Sequence, residues 1–134
     1  MYLVDTNIWL ERLLAQAKSD EVGDFLSRVP SSEMFITDFA FHSICVVLTR
    51  LNKEAALLDF VQDVFVDGAV TLAAIPPEET HSVITVKDKY NLDFDDAYQC
   101  AAAEKHDLVI VSFDRDFDRT ARGKKTPAEI LAVI

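Results

Sequence analysis

The chain is poor in the residues that interrupt a fold or cross-link it. Its 134 residues include only three glycines and four prolines. With half of the residues hydrophobic, that scarcity excludes a disordered or linker-like chain. The two cysteines, Cys45 and Cys100, lie far apart within apolar, helix-like stretches. They fit no metal-binding spacing and predict two reduced, buried thiols. The histidines, His42, His81 and His106, are scattered, so no His/Cys cluster offers a metal site. No apolar run reaches the roughly 18 residues a membrane-spanning helix needs. No basic leader precedes the first apolar run, which predicts a cytoplasmic protein without a signal peptide. Positive charge is also scarce: 13 Lys and Arg stand against 23 Asp and Glu, a formal net charge of −10. That balance argues against a general nucleic-acid surface. It leaves an acidic metal site, a basic protein partner or simple solubility.

The few basic residues are unevenly placed. Arg115, Arg119, Arg122, Lys124 and Lys125 crowd one C-terminal segment. They read either as a solvated loop or as a phosphate-docking strip beside an acidic centre.

A chain of this length predicts one domain, residues 1–134, around one core. Tyr2-Leu3-Val4 is a short apolar run suited to a buried strand, and it stops at Asp5. Thr6 or Asn7 can cap the amphipathic stretch Ile8–Ala17. A second helix is expected over Ser19–Val29, and Met34–Thr37 reads as the second strand. Asp38 opens a long apolar helix to about Leu51, with Phe39, Ile44, Val47 and Leu48 as core candidates. Another helix is expected from Glu54 to about Val66, then a third strand over Ala69–Ile75. Pro76-Pro77 opens a helix that carries Val83, Ile84 and Val86 inward. Asp93–His106 is an alanine-dense helix, and Leu108–Val111 is the clearest strand. Pro127–Ile134 suits either a short helix or an edge strand. Strands alternating with helices predict a three-layer α/β/α sandwich with a central, mostly parallel sheet of four or five strands.

In such a sheet the carboxyl ends of the strands form one edge, where ligands bind. Asp5 ends the first strand; Asp114, with Asp116 two residues on, follows the fourth. Asp95 and Asp96 sit in the first turn of the helix that feeds the fourth strand, and Asp38 begins the helix after the second. Each acid alone could be a helix cap or a turn former. Together they would repel one another unless neutralised, and a divalent cation is the obvious neutraliser. Oxygen-only ligands suit Mg²⁺ or Mn²⁺. Such an ion acidifies water for attack on a phosphodiester, and a second ion roughly 3.5–4 Å away would support the leaving oxygen.

The chain resembles PIN-domain proteins of the VapC toxin type. The matching pieces are Val4-Asp5-Thr6-Asn7, Asp96-Ala97 at the start of a late helix, and Val111-Ser112-Phe113-Asp114-Arg115-Asp116-Phe117. Their order and spacing span nearly the whole chain. The resemblance implies a metal-dependent ribonuclease with Asp5, Asp96 and Asp114 at an acidic centre and Asp116 as a fourth acid. It implies that Asn7 and Ser112 orient them. It also implies RNA as substrate, an antitoxin partner with a basic, arginine-bearing tail, and a homodimer. An arginine inserted among the carboxylates would mimic the cation.

One departure stands out. The family places a Glu about six residues past a Ser or Thr at the end of the second strand. Counting from Thr37 reaches Ser43, beside His42. Asp38 could supply the missing charge, His42 or Ser43 could position water, or cleavage could be lost, leaving a binding module. A phospho-aspartate receiver or an Asp-nucleophile phosphatase fits poorly. The first would want a lysine within Ser112–Asp118, and the second an Asp where Asn7 stands.

Overall fold

The computed structural model describes residues 1–134. Four strands, β1 (Tyr2–Val4), β2 (Met34–Thr37), β3 (Thr71–Ala73) and β4 (Val109–Val111), form one sheet in the order β3-β2-β1-β4. Every pairing is parallel, with Leu3 beside Phe35 on one flank and Ile110 on the other. No fifth strand forms. Instead Lys125 makes a single bridge to Val111: its N–H donates to the Ile110 carbonyl, and its carbonyl accepts from Ser112 N–H.

Period-two alternation in the strands splits the core in two. Val4, Met34, Ile36 and Val111 join a cluster with Ile8, Trp9, Val22, Phe25, Ile44 and Leu48. That layer comprises α1 (Thr6–Leu13), α2 (Ser19–Arg28), α3 (Asp38–Arg50), α4 (Glu54–Val61) and α7 (Pro127–Leu131). Leu3 and Ile110 point the other way, toward α5 (Thr80–Tyr90) and α6 (Phe94–His106). The result is the expected α/β/α sandwich. In α6 every residue from Asp96 to Ala103 is buried, because alanine side chains let it lie close against its neighbours.

Several boundaries differ from expectation. Asp5 caps α1 itself, accepting from Thr6 N–H at 2.8 Å, so the helix starts two residues before Ile8. It ends at Leu13 because Ala15 turns left-handed, with φ of 50°. Strand β3 is three residues long, and Gln62–Val66 widens into a π-helical turn after α4. The tail is helical: Thr126 and Glu129 form a capping box with Pro127 in the first turn. Phe39 and Ile84, expected inside, are 38% and 43% exposed, and Val47 is only partly covered. Of the two thiols only Cys100 is buried; Cys45 is half-covered, and both are free. No helix is long and apolar enough to cross a membrane.

Candidate metal centre

Parallel pairing brings the ends of β1 and β4 together, and a hydrogen-bond network then locks them. Asp5, 8% exposed, accepts from Gln99 Nε2 at 3.0 Å on the oxygen that caps α1. Its other oxygen accepts from Ser112 Oγ at 2.8 Å. Ser112 Oγ accepts in turn from Asn7 Nδ2 at 3.1 Å and from Asp114 N–H at 2.9 Å. Asn7 Oδ1 receives Phe113 N–H at 3.2 Å. Asn7 and Ser112 thus link the acid at the end of β1 to the backbone that carries Asp114.

Gln99 was missed from sequence. It lies one helical turn beyond Asp96 on α6, and its Oε1 accepts from the hydroxyl of Thr37, the residue that caps α3. One amide thus joins the ends of β1 and β2. A lone glutamine inside an alanine-rich helix was the available signal, since a buried amide must find partners.

Asp114 caps the 3-10 turn Arg115–Arg119, accepting from Asp116 N–H at 2.8 Å. This Asx turn directs Asp116 back toward Asp96, the third residue of α6. One carboxylate oxygen from each of Asp96, Asp114 and Asp116 lies within 4.8 Å of the other two. Asp5, Asp95, Asp96, Gln99 and Asp114 line one open cleft of about 270 Å³. Asp5 lies outside the trio in the same cleft, with three hydrogen bonds already on its carboxylate.

The electrostatics separate the two buried acids. Burial pushes the Asp5 carboxyl up, opposed by the donors Ser112, Thr6 and Gln99. Asp96, 9% exposed, has no such relief. Burial first, then the charges of Asp114, Asp95, Asp5 and Asp116, push it up to about 7. A buried carboxylate without a donor, facing two others, is a donor set suited to a hard divalent cation.

The other sequence candidates fall outside this cluster or at its rim. Asp38 does not supply the missing charge: its Oδ1 is held by Phe39 N–H at 2.8 Å and by the Tyr98 hydroxyl at 2.7 Å, away from the cleft. His42 is exposed, lies 5.6 Å from the Phe41 ring and lines a separate hollow with Val46 and Val47. Ser43 reaches the cleft, but its hydroxyl donates to the Phe39 carbonyl at 3.0 Å.

The basic segment does not form one strip. Arg122 bridges Asp107 at 2.7 Å and the Leu108 carbonyl at 2.9 Å, at the opposite end of β4. Lys124 pairs with Asp118 at 3.0 Å and Arg119 with Asp116 at 2.7 Å. Only Arg115 and Lys125 of the five make no ion pair, and both are exposed.

Several solved structures share this architecture. A toxin–antitoxin complex from Klebsiella pneumoniae is 20% identical, with a TM-score of 0.75 over 95% of this chain and 98% of that one. VapC20 of Mycobacterium tuberculosis, described as a sarcin–ricin-loop-cleaving toxin, is 15% identical, with a TM-score of 0.77 over 91% and 96%. FitAcB from Neisseria gonorrhoeae is 16% identical, with a TM-score of 0.79 over 96% and 99%. At these identities the likeness speaks for the fold. No curated protein sequence matches the chain significantly. The sequence profile of the PIN domain matches residues 2–123, nearly the whole chain, and the protein therefore belongs to the PIN domain family.

Proposed function

We propose that this protein is a Mg²⁺- or Mn²⁺-dependent endoribonuclease, the toxin of a toxin–antitoxin pair, acting in the cytoplasm as a homodimer. The observation that carries the reading is the convergence of Asp96, Asp114 and Asp116 from separate stretches of chain, with Asp5 lining the same cleft. Those three carboxylates would hold the cation, and Asp5 would add negative charge while Ser112 and Gln99 hold it in place. Once bound, a divalent ion supplies an acidified water and neutralises charge at a phosphodiester. The openness of the cleft leaves room for a nucleic-acid backbone beside the trio. The structural neighbours support the class: one is described as a sarcin–ricin-loop-cleaving toxin and another as a toxin–antitoxin complex, while FitAB is described bound to a DNA fragment. A strongly acidic cleft also suits an antitoxin segment that offers arginine.

The test is cleavage of single-stranded RNA by the purified protein with Mn²⁺. Asp5→Asn and Asp96→Asn should each reduce cutting to background while leaving the far-UV circular dichroism unchanged. Persistent cutting by both variants would sink the assignment.

One observation favours a second reading. All three α3 residues that line the cleft, Phe39, Ala40 and Ser43, are uncharged. The family's usual Glu has no substitute among them, so the protein could be a binding module that kept the fold. Calorimetry separates the two: absence of Mn²⁺ binding at millimolar concentration selects the module.

A further inference from the structure

We infer that Arg119 is a positioning residue that assembles the two halves of the acidic trio, a role distinct from docking phosphate; this rests on the metal-centre reading above. The trio comes from two elements. Asp96 is on α6, while Asp114 and Asp116 are on the turn after β4. No hydrogen bond from Asp96 ties these elements together at the cluster, and three like charges within 4.8 Å push them apart. Asp116, its side chain 48% exposed, is the member most free to rotate into solvent.

Arg119 opposes this with a two-ended guanidinium. Its Nη2 holds Asp116 Oδ1 at 2.7 Å, and its Nη1 donates to the Asn91 carbonyl at 2.8 Å. Asn91 ends α5 in the left-handed conformation, with φ of 52°, and lies just before α6. The left-handed turn aims its carbonyl away from the helix ladder and toward the arginine. One planar fork therefore staples the loop leading into the helix that bears Asp96 to the turn bearing Asp116, and it brings a positive charge to the half-exposed Asp116. A lysine could supply that charge but has a single nitrogen and no fork. Two of its five N–H donors are thereby committed within the protein.

The experiment compares the wild-type chain with Arg119→Ala and Arg119→Lys in two readouts. The first is amide hydrogen exchange without metal at Leu92, whose N–H donates to Lys87 O, and at Asp116, whose N–H donates to Asp114 Oδ1. Both amides should exchange several-fold faster in Arg119→Ala, and lysine should fail to restore them. The second is Mn²⁺ affinity by calorimetry, expected to fall about tenfold in Arg119→Ala. Unchanged exchange at either amide, or full restoration by lysine, overturns the staple. Faster exchange with unchanged or tighter Mn²⁺ binding also overturns the inference, since Arg119 would then only compete with the ion. If the wild-type chain binds no Mn²⁺, the metal reading fails by itself and the exchange measurement alone decides the staple.

Discussion

The two ends of β4 carry the same residue type in opposite circumstances. At the amino end, Asp107 meets Arg122 at 2.7 Å, and the guanidinium's hydrogen bond and charge hold its carboxyl below the usual range. At the carboxyl end, Asp96 meets other carboxylates and is pushed up to about 7. Asp107, with its cation beside it and far from the acids of the cleft, is a solvated surface partner. A buried acid that has only like charges for company costs the fold stability, and such a cost is kept where the cluster does something. The direction of the displaced proton affinity therefore separates Asp96 from Asp107, which a count of acids does not. Within the site a second contrast appears, between Asp5 with its three donors and Asp96 with none.

The largest way to break that second contrast is to take a donor from Asp5. Gln99→Leu would leave the Thr37 hydroxyl without its acceptor and remove one of the three hydrogen bonds on Asp5. Loss of a buried amide between polar partners costs about 1–3 kcal/mol. We expect that loss in urea unfolding, together with Mn²⁺ affinity lower by about 10–100-fold, the usual effect of removing a group that orients a metal ligand. Wild-type values in both measurements would show that Asp5 needs no such support.

Next in size is the pH dependence of the metal-free protein. The folded value for Asp96, about 7, lies above its ordinary 3.8. The folded chain therefore holds a proton that the unfolded chain has released across that window. Stability should fall as pH rises from about 4 to about 7 and level off above. For a carboxylate facing an open cleft the fall is about 1–2 kcal/mol after solvent screening. Asp96→Asn should flatten this part of the urea-midpoint profile and be more stable than wild type at pH 8. With metal the sign reverses: Mn²⁺ must displace the proton, so affinity should climb toward pH 7 with proton release detectable by calorimetry in two buffers. A wild-type midpoint that rises over the same window would contradict the assignment of Asp96 as the strained acid.

Much of this was legible in the chain because it was local. Apolar runs marked β1, β2 and β4, and the abrupt polar residue after each marked the sheet edge where Asp5 and Asp114 emerge. Parallel order then placed both acids together without any knowledge of side-chain contacts. The illegible parts depended on partners distant in sequence. The run Arg115 to Lys125 looks continuous, yet Arg119 turns to Asp116 and Arg122 to Asp107 at opposite ends of a strand. Asp38 looked like a site acid and Gln99 drew no notice, but Tyr98 holds the first out of the cleft while Thr37 and Asp5 hold the second in it. The stop at Ala15 had no glycine to announce it. The tail is a different case. Thr126-Pro127-Ala128-Glu129 carried the helix-start signature in plain view, and the short length that follows made it look ambiguous.

The smallest expected effect sharpens the first contrast. Asp107→Asn removes the ion pair at the amino end of β4 but keeps a residue that accepts the left-handed backbone there, with φ of 54°. Arg122 retains its bond to the Leu108 carbonyl, so the strand start stays anchored. The pair is exposed and screened, which makes it weak. The variant should show no measurable change in urea midpoint at neutral pH, in Mn²⁺ affinity or in RNA cutting, all measured beside Asp96→Asn. A change in metal affinity would mean that charge at one end of β4 is felt at the other. Asp107 would then belong to the electrostatics of the site, and the division between scaffold acid and site acid would have to be drawn elsewhere.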